Sequence, residues 1–271
     1  MRLFESSSIF FRVCLIVILI INITVFPQGL DAQQDDSELQ VLFEQALSES
    51  KEGDFGSALT RWDQFLDIAP NDAAALSNRG NVRLALGDVD GAIADQSIAI
   101  GLDPLEIDPY LNRGIAEELL HLWDDAASDY LFILGQDPEN SSALYNLANV
   151  LGSQGDWEKA QDLYKRASIS RPGFAMARSS QALSAYQLGD FDNAESQLRN
   201  IIRRYPMMAD ARAALSALLW RSGSFGEAES HWAAVAGLDN RYRDREWLVE
   251  IRRWPSEPTA DLMAFLDLRR R

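Results

Sequence analysis

Proline recurs at positions 70, 104, 138, 172 and 206, each 34 residues after the last. An interval held that strictly describes copies of one unit stacked in a line, each copy burying its apolar face against the next. Proline has no backbone N–H and clashes with the turn before it, so each one stops a helix and marks a joint between units.

Other residues keep the same interval. Small side chains fall at Ala46, Gly80, Gly114, Ala148, Ala182 and Ser216, and alanines at Ala58, Ala92, Ala126, Ala160, Ala194 and Ala228. The two columns lie on either side of a turn, where small side chains let two antiparallel helices approach closely. Between them stand Gly53, Gly87, Gly155, Gly189 and Gly223, mostly followed by Asp or Ser and then an aromatic such as Phe55, Trp157, Phe191 or Phe225. A glycine there takes the left-handed conformation that ends the first helix, and the aromatic packs over the turn. Each unit thus reads as helix A, turn, helix B, stop.

Counting back from the prolines gives six abutting units: 39–72, 73–106, 107–140, 141–174, 175–208 and 209–242. Runs such as ALYNLANVLGSQGDWEKAQDLYKRASISRP resemble the tetratricopeptide repeat (TPR) family over about three quarters of the chain. The resemblance implies an all-α fold, a right-handed superhelical solenoid of six helix-turn-helix repeats followed by a helical C-terminal cap over 243–271. Several positions depart from the pattern. Unit three has His121-Leu122-Trp123 in place of the turn glycine and its neighbours. Phe65, Ile133 and Ile201 stand where a small residue is usual late in helix B. Arg178 and Arg212 stand near the start of helix A, and unit six ends in Asn240 in place of proline.

The chain of 271 residues carries a net charge of −16, and its only lysines are Lys51, Lys159 and Lys165. That balance argues against nucleic acid, whose phosphates are held by clustered basic residues. The arginines concentrate in the tail, at 241, 243, 245, 252, 253 and 269–271. A solvated capping helix is the plain reading of such a tip, and contact with anionic lipid or an acidic partner is the functional one.

At the N-terminus, Arg2 and Arg12 precede an apolar run from Val13 to Phe26, and Leu30-Asp31-Ala32 follows. A basic flank, a short apolar stretch and a small-residue exit are the parts of a secretory signal, with cleavage expected after Ala32. Fourteen helical residues cover roughly 21 Å, short of a ~30 Å hydrocarbon core, so a cleaved signal is favoured over an uncleaved membrane anchor through residues 9–26. Cys14, the one cysteine, lies inside the apolar run and not after it, which argues against a lipoprotein. Residues 33–38 are polar and acidic and read as a linker. In the tail, Asp244 to Arg253 reads as an amphipathic helix, Trp254-Pro255 and Pro258 as an interruption, and Ala260 to Leu268 as a last helix burying Leu262, Phe265 and Leu266. A cap over the last repeat is the default meaning of such a tail.

Nothing in the chain reads as an enzyme. His121 and His231 are the only histidines and stand in different units, without the convergent partners a metal site or a nucleophile–histidine pair needs. No glycine-rich phosphate loop occurs, and no cofactor or metal is expected.

The TPR resemblance implies that helix A of each unit lines an inner, concave groove. The residues it places there are Phe43, Leu47, Asn81, Leu84, Leu111, Ile115, Tyr145, Asn149, Met176, Leu183, Tyr186, Trp220 and Arg221, interrupted by polar residues such as Ser77, Asp108 and Glu118. A mainly apolar groove with aromatics and amides suits an extended or helical segment of another protein. Coverage of these residues by the chain's own tail is the alternative. The carboxylate clamp by which some family members hold chaperone termini is not expected, because its basic positions hold Ser77, Ser142 and Asn146.

The function expected is a protein-interaction scaffold working outside the cytoplasm, in periplasm, thylakoid lumen or secreted form. The tail REWLVEIRRWPSEPTADLMAFL looks like those of TPR proteins from cyanobacteria and chloroplasts, which implies help in assembling a photosynthetic membrane complex. The alternatives are a self-associating structural protein of the cell envelope and a regulatory subunit of an enzyme.

Overall fold

The computed structural model describes residues 28–268, with side chains from Ser37 onward. The expected anchor at 9–26, the expected signal as far as Pro27, and the terminal Arg269-Arg270-Arg271 lie outside the described residues. Of the described residues, those up to Glu38 belong to one unit and those from Leu39 onward to a second. Within the first, Gln33–Glu38 is part of helix α1, Gln28–Glu52, and not a linker. Its Gln, Asp, Ser and Glu residues carry no proline or glycine that would break a helix, so polarity alone did not mark a loop.

In the second unit helices follow one another in pairs. They are α2 (Phe55–Ile68), α3 (Ala73–Ala85), α4 (Val89–Leu102), α5 (Asp108–Leu119), α6 (Trp123–Gln136), α7 (Ser141–Ser153), α8 (Trp157–Ser170), α9 (Ala175–Gln187), α10 (Phe191–Arg204), α11 (Ala209–Arg221) and α12 (Phe225–Leu238). Each packs on its sequence neighbours, and no strand occurs among the described residues. With residues 39–52 of α1, which meet α2 at Trp62, the described helices make an all-α solenoid of six helical pairs. Helices α2, α4, α6, α8 and α10 end two residues before their proline, because the residue preceding a proline is pushed out of the helical region.

The turns explain the glycine column. Gly53, Gly87, Gly155, Gly189 and Gly223 all have φ between 81° and 90°. In unit two the Asp88 N–H reaches back to the Arg83 carbonyl at 2.9 Å, closing the helix end. The aspartate after the glycine then caps the next helix: Asp54, Asp88 and Asp156 accept from Ser57, Gly91 and Lys159 backbone N–H groups. Unit three makes the same turn without glycine, and His121 is forced to φ 56°. The strain is local, and the pair α5–α6 still forms.

The small-residue columns mark where the helices touch. A Cβ on Gly114 would stand 2.7 Å from the Tyr130 ring, so hydrogen is the only side chain that lets that ring lie across helix A. Ala58, Ala126, Ala160, Ala194 and Ala228 are fully buried. Phe65, Ile133 and Ile201, which depart from the usual pattern, are buried as well. Each fills its own joint with a larger apolar group.

Ion pairs repeat with the units. Arg79 makes a two-pronged pair with buried Asp95 at 2.8 Å from both nitrogens, and Arg113 does the same with buried Asp129 at 2.8 and 2.7 Å. Each joins helix A to helix B of one unit. Arg79 also bonds Asp63 of the preceding unit at 2.9 Å, and Arg113 bonds Ser97 at 3.1 Å, so the pairs fix the stacking of units as well as the pairing of helices.

After α12 the chain makes a 3₁₀ turn (Asn240–Arg243), a π-helical turn (Trp247–Ile251) and helix α13 (Ser256–Leu268). Two sequence expectations are corrected here. The helix expected over 244–253 is shorter, helical over 245–251 with its Trp247–Ile251 part a π-helical turn, and Leu248 is buried while Ile251 is exposed. The interruption at Trp254-Pro255 is present, but the last helix begins at Ser256 and not at Ala260, so Pro258 sits in its first turn, where its missing N–H breaks no helical bond. Leu262, Phe265 and Leu266 are buried, as the spacing predicts.

Candidate interaction groove

The C-terminal segment packs on α9 and α11, the A helices of units five and six. Asp210, in the first turn of α11, is the anchor. Its carboxylate is buried and accepts hydrogen bonds from Ser179 (2.6 Å), Tyr242 (2.9 Å), Arg252 (2.7 and 3.1 Å) and the Trp254 indole N–H (3.0 Å). Burial alone would raise this carboxyl; Arg252 and the Ser179 and Trp254 bonds outweigh it and hold the group below the usual carboxylate range. A charge so fully paired is tolerated in the interior, and each of its partners is thereby fixed in place.

Further contacts run along the tail. The Tyr186 hydroxyl donates to Asp261 at 2.8 Å, Arg221 pairs with Asp261 at 2.8 Å and Glu257 at 3.2 Å, and the Glu257 N–H donates to Gln187 at 2.8 Å. An Arg252 nitrogen lies 2.7 Å from the Met176 sulfur. Arg253 reaches unit three, where it bonds the Glu118 carbonyl at 3.3 Å and lies 5.0 Å over the Trp123 ring. A cavity of about 430 Å³ remains between this segment and the turns of units three and four, lined by His121, Trp157, Glu250 and Arg253 among others.

Of the residues placed in the groove from the sequence, Leu183 and Tyr186 are thus core residues, in one cluster with Leu248, Trp254, Leu262 and Phe265. Met176 and Arg221 touch the tail directly, and Trp220 packs on the same cluster. These five are covered, wholly or partly, by the chain itself. Tyr145 is half-buried against Tyr164 and Phe174, with ring centroids 5.4 and 5.0 Å away. Asn149 accepts from the Tyr164 hydroxyl at 2.8 Å.

Units one to three are different. Two cavities there, of about 350 and 260 Å³, share Asn78 and Asn81 in their walls. The first continues to Ser77, Asp108 and Asn112, the second to Leu47, Phe55 and Val82. Leu84, Leu111 and Ile115 are half-exposed, while Phe43 and Leu47 rest on the unit-one core. Asn81 accepts from the Gln96 amide at 2.9 Å, which leaves its own N–H groups to face a ligand. Phe43, Leu47, Asn81, Leu84, Leu111, Ile115 and Asn112 thus lie on the A helices of units one to three, which the tail meets at the far end of unit three, through Arg253 at Glu118 and Trp123. Asn112 stands 34 residues after Asn78, so the repeat spacing alone points to its place in the cavity wall.

Two carboxyls near the boundary are perturbed. Burial, with Asp129 nearby, pushes Glu117 up to about 7, against the lowering effect of Arg113. Burial also pushes Glu118 up to about 7, although the Tyr130 hydroxyl donates to it at 2.7 Å and Arg253 is close. The Glu118 carboxyl is higher in the folded chain than in an unfolded one. Its contribution to stability is therefore complete below about pH 4.5 and is lost as pH rises through about 7, on the order of 2 kcal/mol. Urea unfolding at pH 5 and pH 8 checks this: Glu118→Gln is expected to shrink the fall in stability between the two.

No cluster of His, Cys, Asp and Glu able to hold a metal occurs among the described residues, and none of the described helices is long and apolar enough to cross a membrane.

The tetratricopeptide repeat family model matches residues 43–107, 111–178 and 179–241. The chain belongs to the tetratricopeptide repeat family. Among curated proteins it is similar to tetratricopeptide repeat protein 36 of Bos taurus, 32% identical over 110 residues, which are 39% of this chain and 56% of that protein. It is also similar to RNA polymerase II-associated protein 3 of Rattus norvegicus, 27% identical over 43% of this chain and 18% of that one. The matches thus span about half, or less, of these relatives' length. Among solved structures, a tetratricopeptide repeat protein from Parabacteroides merdae superposes with TM-score 0.66 at 18% identity, over 84% of this chain and 98% of the other. MamA superposes with TM-score 0.55 at 22% identity over 59% and 94%. YrrB, described as a TPR protein with an unusual peptide-binding site, gives 0.52 at 19% over 66% and 92%. At these identities the structures speak for the fold alone.

Proposed function

We propose that this chain is a non-catalytic scaffold that holds an extended segment of another protein in the half of its groove formed by units one to three. The carrying observation is that the tail packs on the A helices of units five and six, while in units one to three Asn78, Asn81 and Asn112 line cavities next to Leu47 and Val82. Asparagine amides at regular intervals pair with the backbone of an extended chain, and the apolar residues beside them take its side chains. Asp103, Glu106 and Asp108 on the rim of the cavity favour a segment carrying basic residues. The peptide-binding site ascribed to YrrB accords with this reading.

The reading extends to place and purpose. The apolar run at 13–26 favours work outside the cytoplasm, after cleavage near Ala32 or on an uncleaved anchor, and the tail's likeness to those of cyanobacterial and chloroplast proteins favours the assembly of a membrane complex. The test is capture in the native cells. A chain with Leu84→Glu and Asn112→Ala is expected to hold its partner at least about fivefold less well than the parent, with the same circular dichroism. Equal capture by both would move the binding surface off these units.

A further inference from the structure

Unit five handles charge unlike units two and three. The positions that hold Arg79 and Asp95 in unit two, and Arg113 and Asp129 in unit three, hold Gln181 and Gln197 in unit five. Positive charge enters from elsewhere, through Arg178 in α9 and Arg204 at the end of α10, and both line one cavity of about 480 Å³ with those two amides. No carboxylate lines it. The Arg178 Nε is buried without a hydrogen-bond partner, and the Arg204 guanidinium has the Tyr205 ring at 5.6 Å.

Unit six supplies the contrast. Its equivalent of Arg178 is Arg212, which donates to the Pro206 carbonyl at 2.8 Å and meets His231 at 3.3 Å. A buried guanidinium nitrogen left unpaired costs free energy that a ligand oxygen restores. In a chain with 41 acidic and 25 basic residues, a cavity with two arginines and no acid is not the outcome of general composition.

We propose that this cavity binds a small organic anion. Its phosphate or carboxylate group lies between Arg178 and Arg204, whose planar forks match two-oxygen acceptors. The amides of Gln181, Gln197 and Asn200 donate to the remaining oxygens, and the body of the ligand rests on Ile201 and Tyr205. The volume suits that of a small-molecule site and exceeds what an inorganic ion fills. None of these residues belongs to the groove, so the site stands or falls independently of partner capture.

The test is a two-dimensional NMR titration of the purified full chain with phenyl phosphate, benzoate and inorganic phosphate, each against sodium chloride at equal ionic strength. Saturable shifts of the Arg178 and Arg204 side-chain resonances are expected with phenyl phosphate or benzoate, the tighter of the two identifying the oxyanion, and weaker ones with inorganic phosphate. R204Q, a change at an exposed position, is expected to weaken binding about tenfold or more, and R178Q likewise. Shifts no different from those with chloride, or the same binding in both variants with unchanged circular dichroism, would overturn the proposal.

Discussion

Replacing Asp210 with alanine is expected to remove about 3–5 kcal/mol of stability and to release the C-terminal segment from units five and six. The carboxylate is the common acceptor for Ser179, Tyr242, Arg252 and Trp254. Without it the Arg252 side chain, 13% exposed, stays in the interior with no counter-charge, and the tail leaves in order to hydrate it. Hydrogen exchange reads this directly: the α13 amides should exchange faster, while α3 to α6 stay protected. Asp210→Asn keeps the volume and one acceptor and should lie between alanine and the parent. A tail equally protected in both variants would show that its apolar residues, Leu248, Leu262 and Phe265, hold it without the ion pair.

Trp62→Ala is expected to cost a similar amount, about 3–5 kcal/mol, but at the other end of the chain. Trp62 is fully buried, with Phe43 and Phe65 against it at centroid distances of 5.0 and 6.2 Å. In a solenoid each unit leans only on its neighbours, so the loss stays local. Unit one should fray, together with Phe43 and Leu47 of the open groove, while the tail stays docked. Thermal unfolding followed by circular dichroism should show a small early loss of helix ahead of the main transition. A single shifted transition would mean that the six pairs unfold as one.

The repeats were legible in the sequence because each signal is local. A proline ends the helix beside it, a glycine with φ near 85° turns the chain where it stands, and an aspartate caps the helix it precedes. The ion pairs were there to be read as well: Arg79 and Arg113 lie 34 apart, as do Asp95 and Asp129, and a search for charged columns would have joined them. The tail was not legible in the same way. Arg252 meets Asp210 across 42 residues, and no periodicity encodes a pairing made once. The same reason hid the division of the groove. Leu84 and Tyr186 stand three repeats apart at the same helix A position, and only the folded tail makes the first half-exposed and the second a core residue. His121 shows the opposite case, a local rule broken without consequence for the fold, because α5 and α6 on either side hold the turn in place.

Site-specific photo-crosslinking in the native cells asks most directly whether the groove is divided as described. A crosslinker at Leu84 should join the chain to another protein, and one at Arg221, which pairs with Glu257 and Asp261, should join it to its own residues 257–261. If Arg221 captured the other protein and Leu84 captured nothing, the tail would not be the occupant of units five and six, and the open half would not be the working surface.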